Sequence, residues 1–154
     1  MRDNKWLEEK MYFLWENFFV DTPRKNVVLI KFGTRSKRQL GCIKWVSHKT
    51  KGVSTLLSSQ KPAEEDKRTS LILITSYFKS EAVPEDVVLA TLAHEMCHYA
   101  HGFNSPLQQI YDHPHKGGII RREMERRGLG KLYRESNRWL KQNWANYLRH
   151  QMNH

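Results

Sequence analysis

The segment His94-Glu95-Met96-Cys97-His98 sets two imidazoles four residues apart, with a carboxylate beside the first. On a helix, residues four apart lie one above the other on the same face. Two imidazoles so placed can share one metal ion, and histidine binds zinc at about 2.0–2.1 Å. Glu95 falls about 100° round the helix from His94, where its carboxylate can reach a metal-bound water without ligating the ion. The pattern points to zinc-assisted hydrolysis of a peptide bond. The ion acidifies the water and polarises the carbonyl, and the glutamate moves the proton to the leaving amine. With 8 histidines and 11 glutamates in 154 residues, chance produces this pattern in roughly 3% of such chains. The competing reading is a buried helix with two hydrogen-bonded core histidines, but a charged glutamate between them has no packing reason to be there.

A catalytic zinc takes a third protein ligand and keeps a fourth position open. Downstream candidates are His101, His113, His115, Glu123 and Glu125. His101 falls a turn beyond His98 and is expected to point past the ion. Glu123 and Glu125 lie among arginines and are expected to pair with Arg122, Arg126 or Arg127 three or four residues away. An irregular segment returning from the helix end can approach from another direction, which favours Asp112-His113-Pro114-His115. The spacing leaves His113 and His115 both open. Tyr99 and Tyr111 are candidates for stabilising an oxyanion. Cys97 and Cys42 read as small buried hydrophobes.

These side chains need elements to hold them. Leu7, Met11, Leu14 and Phe18 recur at helical spacing and predict an amphipathic helix from about Asp3 to Val20, stopped by Thr22-Pro23. Asn26 to Phe32 and Leu40 to Val46 read as strands, separated by a basic turn, Gly33 to Arg38. Ser47 to Ser70 reads as a long polar loop containing His48 and the mixed-charge run Lys61 to Arg68. Leu71 to Thr75 is a short apolar strand. The helix carrying the two histidines should begin at Pro84, with Glu85 and Asp86 favouring its N-terminus, and run to His101 before Gly102. Asn104 to Gly118 should be irregular. A short helix from Ile119 to Arg127 and a terminal one from Leu132 to about Leu148 complete the chain.

Composition bounds the class. The 39% apolar content is enough for a folded core, and 154 residues suit a single domain. No apolar run approaches the roughly 20 residues that span a bilayer, so no membrane association is expected. Two cysteines cannot build a disulfide framework, which makes a reducing cytoplasm the default compartment. A monomer is expected. The net charge is +10, and +7 of it lies from Lys116 onward. Lys131, Arg134, Arg138 and Lys141 form a basic stripe on the terminal helix, beside an apolar stripe of Tyr133, Leu140, Trp144 and Tyr147. The apolar stripe is expected to dock on the core. The basic one suits a polyanion such as DNA, and Arg121, Arg122, Arg126 and Arg127 would extend it towards the histidines.

From about Leu40 to Arg127 the sequence resembles the SprT-like family of zinc metallopeptidases, which includes proteases of DNA–protein crosslink repair. The likeness runs through Leu40-Gly41, the strand Leu71 to Thr75, and Glu85 to Ala93 leading into His94-Glu95-Met96-Cys97-His98-Tyr99-Ala100. In that family a later histidine, commonly in a His-Gly-x-x-aromatic pattern, supplies the third ligand. Pro114-His115-Lys116-Gly117-Gly118-Ile119 occupies that place here, with Lys116 for the glycine, Ile119 for the aromatic residue, and no cysteine-rich ribbon following. The resemblance implies that His94, His98 and His115 bind one Zn2+ and that Glu95 is the general base.

It also implies an α+β, zincin-like fold: an N-terminal helix, a small, mainly antiparallel sheet, the HExxH helix and a basic C-terminal helix. Residues 1–128 would form the metallopeptidase domain, and 129–154 a basic amphipathic helix packed on or extending it. The expected activity is endoproteolysis of DNA-bound or DNA-crosslinked proteins, with DNA as a partner and Arg121, Arg122, Arg134, Arg138 and Lys141 as its contacts. That would place the protein in the cytoplasm, nucleoid or nucleus. An ImmA/IrrE-like regulatory metallopeptidase and a non-catalytic zinc-containing DNA-binding module are the alternatives.

Overall fold

The computed structural model describes residues 1–46 and 68–153. Most of the segment read as a long polar loop, with His48, lies outside the described residues. The described chain is an α+β arrangement of four helices and a three-stranded sheet. Among the described residues no helix is long and apolar enough to cross a membrane.

Helix α1, Asn4–Phe18, starts where the Asp3 carboxylate accepts a hydrogen bond from Trp6 N at 2.8 Å, satisfying one of the free first-turn donors. It buries Leu7, Met11, Leu14 and Trp15, which share one face. The helix stops two residues earlier than expected: Phe19 leaves helical geometry, and Trp15 Nε1 donates to Thr22 O at 2.8 Å across the turn.

Strands β1 (Val28–Phe32), β2 (Gly41–Val46) and β3 (Thr69–Ile74) pair in the order β1-β3-β2. β1 runs parallel to β3 with Val28 opposite Ser70, and β2 runs antiparallel to it with Gly41 opposite Ile74. The sheet is therefore mixed rather than mainly antiparallel. β3 inserts between the two earlier strands, and its Leu-Ile-Leu-Ile run suits a central position with both faces covered. Ile30, Ile43, Ile72 and Ile74 face the helical layer, while Val27, Leu29 and Leu71 make a smaller cluster on the opposite face.

After a 3-10 turn at Ser76–Lys79, helix α2, Glu85–Ala100, passes under β2 and β3. It is buried along most of its length, by Val87, Val88, Leu92, Ala93, Met96 and Tyr99 among others. Burial of the valine, leucine and methionine side chains contributes about 1.5–3 kcal/mol each and anchors α2 in the core. Its C-terminus is closed by Gly102 N donating to Tyr99 O (3.0 Å) and Phe103 N to His98 O (2.9 Å), with Gly102 at φ +79°. This pair of bonds needs a left-handed residue, which glycine supplies. α3 (Ile119–Arg126) and α4 (Gly130–Met152) follow, and α4 packs along both α2 and α3.

Candidate metal centre

α2 presents His94 and His98 on one face, with ring centroids 4.8 Å apart. The third histidine comes from the irregular segment beyond the helix. Lys116 N donates to His113 O at 3.1 Å, and Gly117 and Gly118 adopt consecutive left-handed conformations (φ 69° and 71°) that turn the chain into α3. Arg122 fastens this turn by donating to Gly117 O. His115 is thereby set 4.6 Å from His98 and 5.8 Å from His94, ring centre to ring centre. One ligand nitrogen from each of the three lies within 4.8 Å of the others, close enough for one metal ion. The choice that spacing left open falls on His115; His113 is exposed and outside this group.

The donors suit a cation. Both ring nitrogens of His98 are buried without a hydrogen-bond partner among the described residues, a costly state that a bound ion would relieve. Burial first, and then the neighbouring imidazoles, pull His98 down to about 3, and burial and His115 pull His94 down to about 4. Both rings are therefore neutral near pH 7, the form that donates a lone pair.

Glu95 is 5% exposed, and burial pushes its carboxyl up to about 8. It rests against the first residue of β2: a Cβ on Gly41 would lie 3.1 Å from Glu95 Oε1 and 3.0 Å from Thr91 Cγ2. The Leu40 carbonyl accepts from Thr75 N at 2.8 Å, so Leu40 and its alternate neighbours turn towards β3. By the period of the strand, Gly41, Ile43 and Trp45 turn to the open edge. Asn104 Nδ2 takes the Ile43 carbonyl at 2.9 Å, and the main chain of Gly41 faces outward beside Glu95.

These groups share a cleft of about 520 Å³. One wall is Arg38 to Ile43, the floor is α2 with His94, Glu95 and His98, and His115 stands at the side. The opposite wall is α4, through Tyr133, Ser136, Asn137 and Leu140. Sequence reasoning missed that wall: the apolar stripe predicts a docked helix but not that it closes the cleft. The stripe does dock. Trp144 Nε1 donates to Lys37 O (2.9 Å), Tyr147 Oη donates to Tyr77 O (3.1 Å), and Trp144 packs edge-on against Tyr77 and Phe78.

Other sequence candidates lie elsewhere. His101 points away from the triad: its Nε2 is 3.4 Å from Glu123 Oε2, and its ring stands 4.9 Å from that of Tyr111. Glu123 pairs with Arg126 (2.6 Å) and Arg127 (2.9 Å), and Glu125 with Arg134. The Tyr99 hydroxyl donates to Asn26 Oδ1 at 2.7 Å beside β1. Neither Tyr99 nor Tyr111 lines the cleft, which instead presents Tyr133. Cys97 is fully buried, its Sγ 3.7 Å from Met124 Sδ, and burial raises its thiol to about 12. Cys42 is half-buried and lines the cleft.

The basic residues divide. Arg121, Arg138 and Lys141 are exposed and have no ion pair among the described residues, whereas Arg134 is committed to Glu125 and Arg122 to Gly117 O. Arg126 and Arg127, expected to extend the basic surface, are tied to Asp21 as well as Glu123, and Arg127 is buried over the Phe19 ring at 4.1 Å. They clamp α3 to the end of α1. No protein family, curated protein or solved structure matches this chain.

Proposed function

We propose that this chain is a zinc-dependent endopeptidase of zincin-like, SprT-like type that acts on DNA-bound or DNA-crosslinked proteins. The observation that carries the reading is the meeting of His94, His98 and His115, from two separate elements, in the cleft that also holds the Glu95 carboxylate. A structural zinc takes four protein ligands; the histidine, cysteine and acidic groups assembled among the described residues number three. Three is the number of protein ligands that a catalytic zinc takes, its fourth position being kept for water or substrate. Bound to the three histidines, zinc would supply Lewis acidity towards a carbonyl and acidify a water.

The remaining chemistry belongs to the chain. Burial gives the Glu95 carboxylate a raised proton affinity. It takes a proton from the attacking water and returns it to the leaving amine. The outward-facing main chain of Gly41 can pair with an extended peptide, placing one of its bonds next to Glu95, while α4 closes the other side and limits water. Recognition through main-chain pairing makes cleavage weakly selective for sequence. Arg121 on α3 and Arg138 and Lys141 on α4, exposed and without an ion pair among the described residues, suit phosphates. Glu95→Gln tests the mechanism: it should keep zinc and fold while lowering cleavage of a protein substrate by at least about 10²-fold. Undiminished cleavage by the zinc-loaded variant would overturn it.

A further inference from the structure

We infer that the end of the cleft where β2 begins is a subsite for an acidic side chain of the protein substrate, held by Arg38. This deepens the endopeptidase reading and rests on it. Arg38 lines the cleft, is exposed, and makes no ion pair or hydrogen bond among the described residues. Glu95, at the floor, is the only carboxylate among the lining residues, so this guanidinium has no acidic partner within the cleft. The other cations of its loop are occupied: Arg35 stacks over the Tyr77 ring at 5.1 Å, and Lys37 Nζ lies 3.7 Å from Met152 Sδ.

The loop around Arg38 is fastened on both sides. Gly33 N donates to Ile74 O (2.8 Å), Thr75 Oγ1 to Ser36 O (2.7 Å), Thr75 N to Leu40 O (2.8 Å) and Trp144 Nε1 to Lys37 O (2.9 Å). Its main chain is therefore held, which fixes the point from which the Arg38 side chain reaches into the cleft, where charge pairs gain strength over open water. A guanidinium binds a carboxylate through two parallel hydrogen bonds, so Asp or Glu is the side chain this end selects and Lys or Arg the one it rejects. Arg38 precedes Gly41 by three residues through a bend, so the acidic residue falls a few positions from the bond set beside Glu95.

The test uses paired fluorescent peptides that differ only in Glu or Lys at that distance from the cleavage point. Their anisotropy is followed on zinc-loaded Glu95→Gln protein, and their cleavage on the unaltered protein. The Glu peptide should bind about tenfold tighter, with the preference lost in the Arg38→Ala background, reversed in Arg38→Glu and partly kept in Arg38→Lys. Equal binding of both peptides, or no binding of either, overturns the subsite even if cleavage proceeds. A preference that survives Arg38→Ala, with oligonucleotide binding weakened instead, overturns it in favour of a phosphate contact. Selective binding without cleavage by the unaltered protein sustains the subsite while the endopeptidase reading fails.

Discussion

Gly41→Ala probes how closely the strand edge and the glutamate are matched. The added Cβ would sit 3.1 Å from Glu95 Oε1 and 3.2 Å from Glu95 Cγ, against an ordinary contact distance of 3.4–4 Å. Thr91 Cγ2, at 3.0 Å, blocks retreat on one side, so the carboxylate must give way by a few tenths of an ångström. A 1 Å misplacement of a reacting group costs about 10²-fold in rate. The smaller shift should then lower kcat by about four- to tenfold, with KM nearly unchanged. Gly41→Val carries its bulk further and should lower kcat by at least about 10²-fold. The fold should tolerate the alanine, because losing the glycine's freedom in the unfolded chain offsets the squeeze by about 0.4–1 kcal/mol. Steady-state kinetics on a protein substrate, with zinc content and Tm measured on the same preparations, read all three quantities. Both variants cleaving within twofold of the unaltered protein would refute the reasoning, because the Glu95 position would then not depend on the approach of β2.

Asp21 gives a pH prediction. The hydrogen bond from Arg127 holds its carboxyl below the usual 3.8 despite some burial. The carboxylate therefore stabilises the fold above about pH 4, and this contribution drains away as the pH falls through the lowered value. The Tm of the unaltered protein should exceed that of Asp21→Asn by a constant amount from pH 5 to 8 and by a shrinking one below pH 4; a gap that widens in acid would contradict the pairing. On the basic face, Arg138→Ala with Lys141→Ala should reduce the slope of log affinity for duplex DNA against log salt by about 2, one unit for each lost phosphate contact. An unchanged slope would place the nucleic-acid surface elsewhere.

What the sequence reveals and what it hides follow from the range of the interactions. His94 and His98 are legible because an i,i+4 pair on a helix is fixed by local geometry alone. The ends of α2 are legible for the same reason: Glu85 and Asp86 favour its start, and Gly102 supplies the left-handed residue its close requires. The selection of His115 over His113 depends on two left-handed glycines and the Arg122 bond to Gly117, none of which has a periodic signal. The mixed sheet is equally hidden. Three short apolar runs do not say which takes the centre, and that decision rests on pairings between residues far apart along the chain, such as Val28 with Ser70. Arg126 and Arg127 show the same limit. Counted along the chain they belong to a basic run, but Asp21, more than a hundred residues earlier, claims both. α4 was readable as amphipathic, whereas its place as the far wall of the cleft depends on how α2, α3 and the loop before β2 meet it.

Equilibrium zinc titration measures the metal centre itself. The unaltered protein should bind one zinc ion per chain. His115→Ala should bind it at least about 10²-fold more weakly, and His113→Ala should bind it as tightly as the unaltered protein. No zinc binding by the unaltered protein, or equal losses in the two variants, would contradict the assignment of His94, His98 and His115 as the ligands.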